Sequence, residues 1–221
     1  MGKIAENISL FREMLAGEVS LVAVSKTMPV EAIQEAYAAG QRIFGENRVN
    51  ELLVKQPLLP GDIEWHMIGH LQRNKVKFIA PFISMIQSAD SKRLIETINN
   101  EADRAARKIK CLLQFHIALE ETKYGLDMEE ASVIAADWVE GKLSGIEICG
   151  VMGMATYTDD NERIRGEFRF LKQCFDQLKR LYFRDNDHFS MISMGMSGDY
   201  RVAIEEGSNV IRVGSSIFGE R

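Results

Sequence analysis

Eight short apolar runs recur along the chain, and their side chains barely alternate between apolar and polar. They are Leu21–Ser25, Arg42–Gly45, Trp65–Ile68, Ile83–Gln87, Lys110–His116, Ile146–Met152, Phe189–Met194 and Val210–Val213. A strand with one wet face alternates, whereas one buried on both faces does not, and burial on both faces is the condition of a parallel sheet covered by helices. Helical spacing fills the intervals: Val30–Ala39, Arg48–Leu59, Ser91–Arg107, Met128–Glu140 and Arg163–Tyr182, after an opening helix around Ile4–Leu15. Leu94, Ile95, Ile98 and Ala102 form one apolar stripe. Asp90 and Ser91 offer capping oxygens before that stripe, Pro29 suits a first helical turn, and Gly40 and Gly207 suit helix ends. Strand–helix alternation implies parallel α/β architecture. Eight units in 221 residues fit a compact (β/α)8 TIM-type barrel with an extra N-terminal helix. An open doubly wound sheet is the competing arrangement. With no Pro/Gly/Ser-rich linker and no low-complexity tract, residues 1–221 are expected to form a single barrel domain.

Composition removes several classes of function. The formal net charge of −5 disfavours nucleic acid as the main partner. No run approaches the roughly 20 apolar residues that span a bilayer. The start, Met1-Gly-Lys-Ile-Ala-Glu-Asn, has no apolar signal core, and the three scattered cysteines (Cys111, Cys149, Cys174) do not form a disulfide framework. A cytoplasmic location follows as an expectation. The histidines and cysteines lack metal-ligand spacing, so no metal is expected. Neither a nucleophile elbow nor a Walker-type loop is present.

In a barrel of this kind the chemistry sits where strands end and loops begin. The first strand is followed by Ser25-Lys26-Thr27, the second by Gly45-Glu46-Asn47, and the third by Gly69-His70-Leu71-Gln72-Arg73-Asn74-Lys75. Gly195-Met-Ser197-Gly-Asp199 and Gly214-Ser215-Ser216 follow strands seven and eight, the two loops that frequently hold phosphate in such barrels. Gly and Ser are also ordinary turn residues, but together these loops resemble an anion cradle. Lys26 ends a buried strand; desolvation there favours a neutral amine able to form a Schiff base with a carbonyl. Lysine plus phosphate cradle point to a phosphorylated aldehyde or ketone, either pyridoxal phosphate or a sugar phosphate. Arg212 lies inside the last strand and needs a partner, which a ligand or a carboxylate such as Glu46 would supply. Asn47 and His70 either line the pocket or satisfy loop backbone. Glu120-Glu-Thr-Lys-Tyr-Gly125 reads as a lid or a solvated loop.

Five motifs occur in order: Val22-Ala-Val-Ser-Lys26-Thr, Phe44-Gly-Glu-Asn47, Trp65-His-Met-Ile-Gly-His-Leu-Gln72-Arg-Asn-Lys75, Ser193-Met-Gly-Met-Ser197-Gly-Asp199 and Ile211-Arg-Val-Gly214-Ser-Ser-Ile-Phe-Gly219. Their combination, over nearly the whole chain, resembles the YggS/PROSC family of pyridoxal-phosphate homeostasis proteins, which is related to the N-terminal barrel of alanine racemase. The resemblance implies a modified (β/α)8 barrel carrying pyridoxal 5′-phosphate. By it, Lys26 is the Schiff-base lysine, Arg212 faces the pyridine nitrogen and Asn47 borders the cofactor. Ser197, Gly214 and Ser215 fall at phosphate-binding positions, with Met194 beside them. The segments around Met152, Met154 and Lys123 follow the family only loosely and are not placed in the site.

The resemblance also implies a role in intracellular pyridoxal-phosphate and amino-acid homeostasis without turnover, hence no catalytic residue, and a cofactor passed to apo enzymes. The alternative is a weak amino-acid racemase. Racemisation needs a proton donor or acceptor on each face of the reacting carbon. Alanine racemase completes one face with a tyrosine from a second β-domain contributed across a dimer. The sequence ends at Arg221, just after the eighth unit, so that domain is not expected here, and a monomeric carrier is. A Schiff-base aldolase acting on sugar phosphates is the third reading.

Overall fold

The computed structural model describes residues 2–120 and 124–219. Its core is a closed barrel of eight parallel strands in sequential order, β8 pairing with β1. The helix α1 (Lys3–Leu15) precedes β1 (Ser20–Val24), α2 (Val30–Ala38), β2 (Ile43–Glu46) and α3 (Val49–Lys55). Then come β3 (Glu64–Met67), α4 (Val76–Ile79), β4 (Met85–Ala89), α5 (Lys92–Arg104), β5 (Ile109–Gln114) and α6 (Met128–Val139). The chain continues through β6 (Ile146–Met152), α7 (Asn161–Leu181), β7 (Met191–Ser193), α8 (Tyr200–Glu205), β8 (Val210–Val213) and α9 (Ser215–Phe218). Short 3-10 turns at Gln56–Leu58 and Arg73–Lys75 extend α3 and precede α4. Every element expected from the apolar pattern forms, and the open sheet is excluded by closure of the barrel.

The main apolar core lies between barrel and helices. The α5 stripe of Leu94, Ile95, Ile98 and Ala102 is buried as spaced, and α1 packs on α2 and α9. Inside the barrel, Met85, Leu112, Cys149 and Met152 form a separate small cluster. All three cysteines are free and buried. Gly150 has φ +153 and lies where the β5–β6 register shifts; a Cβ there would overlap the Met191 carbonyl oxygen.

Some local expectations are corrected. The strand expected at Phe189–Met194 shrinks to Met191–Ser193, because Phe189 leaves the ladder to stack on Phe175 and Phe183. Neither Asp90 nor Ser91 caps α5: the Asp90 carboxylate accepts a hydrogen bond from His70 Nδ1 at 2.7 Å instead. Side-chain caps occur at Asp127, in a capping box with Glu130, and at Asp160. Pro29 precedes α2 as its N-cap residue, outside the first turn. Gly40 and Gly207 adopt φ +94 and +96 after α2 and α8, as a left-handed helix exit requires. Among the described residues, no helix is long and apolar enough to cross a membrane.

Candidate functional site

A cleft of about 1060 Å³ opens over the C-terminal ends of the strands, where parallel barrels carry their sites. Lys26, Asn47, Ser197, Arg212, Gly214 and Ser215 all line it. Met194 does not; its side chain is fully buried in the core. Among the described residues, no cluster of three or more His, Cys, Asp or Glu side chains could hold a metal.

Each group is placed by its strand. Lys26 sits half-buried in the turn directly after β1. The next residue, Thr27, has φ +64, a left-handed conformation that is uncommon for a β-branched side chain. Asn47 follows β2, and the backbone of Gly69 after β3 approaches it so closely that a Cβ at Gly69 would meet the Asn47 main chain. On the other side of β1 the Gly214 N–H donates to Ser197 Oγ at 3.3 Å, joining the loops after β7 and β8. Asp199 Oδ1 accepts from the Met196 N–H and folds the first of these loops back on itself. Ser215 opens α9; the Ile217 N–H already donates to the Gly214 carbonyl at 2.9 Å, so among the described residues the Ser215 and Ser216 N–H groups are the first-turn amides without a backbone acceptor.

Arg212 is 3% exposed. Its Nη1 donates to the Ser193 carbonyl at 2.8 Å and to Ser193 Oγ at 2.6 Å, and Nη2 donates to the Gly153 carbonyl at 2.9 Å. Glu46 is not its partner: that carboxylate accepts from Ser25 Oγ and Lys55 Nζ on the α3 side. Among the described residues, no carboxylate lies within ion-pair distance of Arg212. Burial lowers its pKa to about 10, against the opposing pull of the Asp199 charge. Arg212 therefore brings a buried cation to the cleft wall, held by neutral oxygens and not neutralised by a carboxylate.

Behind Arg212 a polar string crosses the barrel lumen. Ser193 Oγ donates to Gln87 Oε1 at 2.7 Å, and Gln87 Nε2 donates to His66 Nδ1 at 2.9 Å. Strands β4 and β7 are not neighbours in the barrel, so the Gln87–Ser193 bond spans the interior.

The remaining wall contains residues the sequence reading left out. Met154, Thr156, Tyr157 and Tyr124 line the cleft, and Tyr124 stacks on His70 with ring centroids 3.9 Å apart. The Thr156 N–H and hydroxyl both donate to Glu167 at 2.6 Å, fixing the loop after β6. The strand-end rule applied to β6 would have found Met154 and Thr156. Tyr124 lies ten residues beyond β5, too far for that rule. Residues 121–123 of the expected lid lie outside the described residues.

The arrangement fits a phosphorylated carbonyl ligand: an amine after β1, hydroxyl and amide groups after β7 and β8, and a buried guanidinium in β8 with no carboxylate in ion-pair distance among the described residues. Comparison with known proteins points the same way. Residues 1–221 match the family described as alanine racemase, N-terminal domain. The chain is 39% identical over 202 residues to the pyridoxal phosphate homeostasis protein of Aquifex aeolicus, covering 91% of this chain and 86% of that one. It is 37% identical over 221 residues to the human protein of the same name, covering 95% and 79%. PipY of Synechococcus elongatus PCC7942, solved with PLP bound, superposes with a TM-score of 0.87 at 35% identity, covering 98% of this chain and all of that one. Alanine racemase from Bartonella henselae shares the fold, with a TM-score of 0.71 at 16% identity over 60% of its length.

Proposed function

The chain belongs to the alanine racemase N-terminal domain family and, within it, to the pyridoxal phosphate homeostasis proteins; from that premise we propose that it is a pyridoxal 5′-phosphate carrier. Lys26 holds the cofactor as a Schiff base, Ser197, Gly214 and Ser215 bind its phosphate, Asn47 borders it, and Arg212 faces the ring nitrogen. When bound, pyridoxal phosphate supplies an aldehyde to an amine and a ring that withdraws electrons. The observation that carries the proposal is the buried Arg212 guanidinium, bonded to neutral oxygens with no carboxylate in ion-pair distance among the described residues, on the cleft that Lys26 also lines. A cation opposite the ring nitrogen disfavours its protonation and so weakens the electron sink. Such a site suits storage and delivery better than turnover.

In this reading the 1–221 barrel works as one cytoplasmic domain, monomeric, without catalytic residues, and releases its cofactor to apo enzymes. The test is to mix cofactor-loaded protein with an apo pyridoxal-phosphate enzyme in the presence of a scavenger of free cofactor. Recovery of acceptor activity, with no change in amino-acid substrates by the loaded carrier alone, is the expected result. Loss of all acceptor reactivation under the scavenger contradicts delivery.

Weak racemisation is the second reading, favoured by Tyr124, a phenol lining the cleft with its ring held against His70. It predicts deuterium uptake at the α-carbon of alanine in D2O by the loaded protein, abolished by Tyr124→Phe. Absence of uptake over many hours removes it.

A further inference from the structure

Three side chains outside the cleft converge on the turn that carries Lys26. Lys55, the last residue of α3, is 6% exposed, and its ammonium donates to the Ser25 carbonyl at 2.9 Å, Glu46 Oε1 at 2.8 Å and Glu51 Oε2 at 3.2 Å. Those three acceptors match the three hydrogens of the ammonium. Glu46, fully buried, also accepts from Ser25 Oγ at 2.7 Å. Glu51 Oε2 accepts from the Thr27 N–H at 2.7 Å. The residue before Lys26 is thus held by its carbonyl and its hydroxyl, and the residue after it by its amide.

This concentration is costly in free energy. Burial raises the pKa of Glu46 even though Lys55 and Ser25 bond to it, and its Oε2 is buried without a hydrogen-bond partner among the described residues. Burial pushes Glu51 the same way, but the Thr27 amide and the Lys55 ammonium outweigh it and leave its pKa lowered. Thr27 itself is kept in a left-handed conformation, which is strained for an L-residue and more so for a β-branched one. A buried ion pair is a poor source of net stability, often matched by apolar packing. Strained backbone persists only where its surroundings over-determine it, and it gathers at working sites. Glu46, Glu51 and Lys55 do not line the cleft. What they share is the backbone on either side of Lys26.

We propose that the Glu46–Lys55–Glu51 triad is a positioning device for Lys26, with Lys55 at its centre. It aims the neutral Lys26 amine for the covalent step, in which the nitrogen forms a double bond to the aldehyde carbon, the carbonyl C–O bond breaks, and the oxygen leaves as water with the two amine hydrogens. The proposal rests on the reading of Lys26 as the Schiff-base lysine. An error of about 1 Å in such a geometry can cost on the order of 100-fold in rate.

The test separates aiming from general structure with two ligands: pyridoxal phosphate, and deoxypyridoxine phosphate, which lacks the aldehyde. Glu51→Ala leaves the exposed Thr27 amide to water, and Lys55→Met removes the centre of the triad. Both are expected to slow formation of the borohydride-reducible adduct by about tenfold or more while binding of the aldehyde-free analogue stays within about twofold of wild type. Glu51→Gln, which keeps an acceptor for the Thr27 amide, is expected to restore most of the rate. Equal losses for both ligands, or adduct formation at the wild-type rate in Glu51→Ala, would overturn the proposal. If wild type binds both ligands but forms no adduct, the reading of Lys26 fails and the triad proposal fails with it; if wild type binds neither, the carrier function itself fails.

Discussion

Arg212, Ser193, Gln87 and His66 hold one another in a fixed order of donors and acceptors. The guanidinium can only donate, so Ser193 Oγ accepts from it and donates its own hydroxyl hydrogen bond to Gln87 Oε1; Gln87 Nε2 then donates to His66 Nδ1. Truncating the middle breaks the order. Ser193→Ala leaves a guanidinium hydrogen and the Gln87 oxygen unpaired in the lumen, and denaturant unfolding should show a loss of about 1–3 kcal/mol. His66 ends the string as a neutral ring: burial lowers its pKa to about 3, assisted by the Lys110 charge. An unfolded chain's histidine takes up its proton near pH 6.5. Below that pH the unfolded state therefore binds a proton that the folded state refuses. The stability owed to neutral His66 is complete above pH 6.5 and falls as pH drops toward 3, by up to about 1.4 kcal/mol per pH unit. Replacing His66 with Gln should flatten the stability profile between pH 6.5 and 5, where few carboxylates titrate. An unchanged slope would show that His66 is not the group responsible.

Two glycines separate what elements need from what they tolerate. Gly150 sits at the β6 register shift against the Met191 carbonyl, and a side chain there must push β6 and β7 apart. Gly150→Ala should cost more than about 3 kcal/mol or prevent folding, at the upper end for point changes. Gly166 lies on the exposed face of α7 with nothing near its Cβ direction. Gly166→Ala should raise stability by about 0.5–1 kcal/mol, read from the denaturation midpoint. At this scale the sequence was most legible where burial dictates pattern: β6 and β8 begin and end at the residues the apolar runs predict. It was least legible where tertiary contacts override local chemistry. Asp90 has a cap's side chain one residue before the N-cap Ser91, and its carboxylate accepts from His70 at 2.7 Å instead. Ser215–Phe218 is too short for periodicity to reveal as helix.

For the whole molecule, parallel closure brings residues from position 26 to position 215 to one mouth. Strand-end position singled out Lys26 and the two Gly/Ser loops as candidates and left Asn47 between pocket and loop backbone; all of them line the cleft, because in a parallel barrel every strand end faces the same way. The partner of Arg212 was not legible: the choice between Glu46 and neutral oxygens depends on which face of its strand each side chain takes, and one residue of register inverts that. Tyr124 was missed because it folds back over the mouth from ten residues beyond β5, by contacts that spacing does not encode; Met154 sits at a strand end like the others and was set aside only because its segment follows the family loosely. If the cleft holds the cofactor, saturating pyridoxal phosphate at 100 times its dissociation constant should stabilise the fold by about 2.7 kcal/mol. The most direct measurement is borohydride reduction of the protein with pyridoxal phosphate, followed by peptide mass mapping beside Lys26→Ala. A single phosphopyridoxyl group on Lys26, absent from the variant along with the visible absorption band, is the predicted result. Modification spread over surface lysines and unchanged by Lys26→Ala would contradict it.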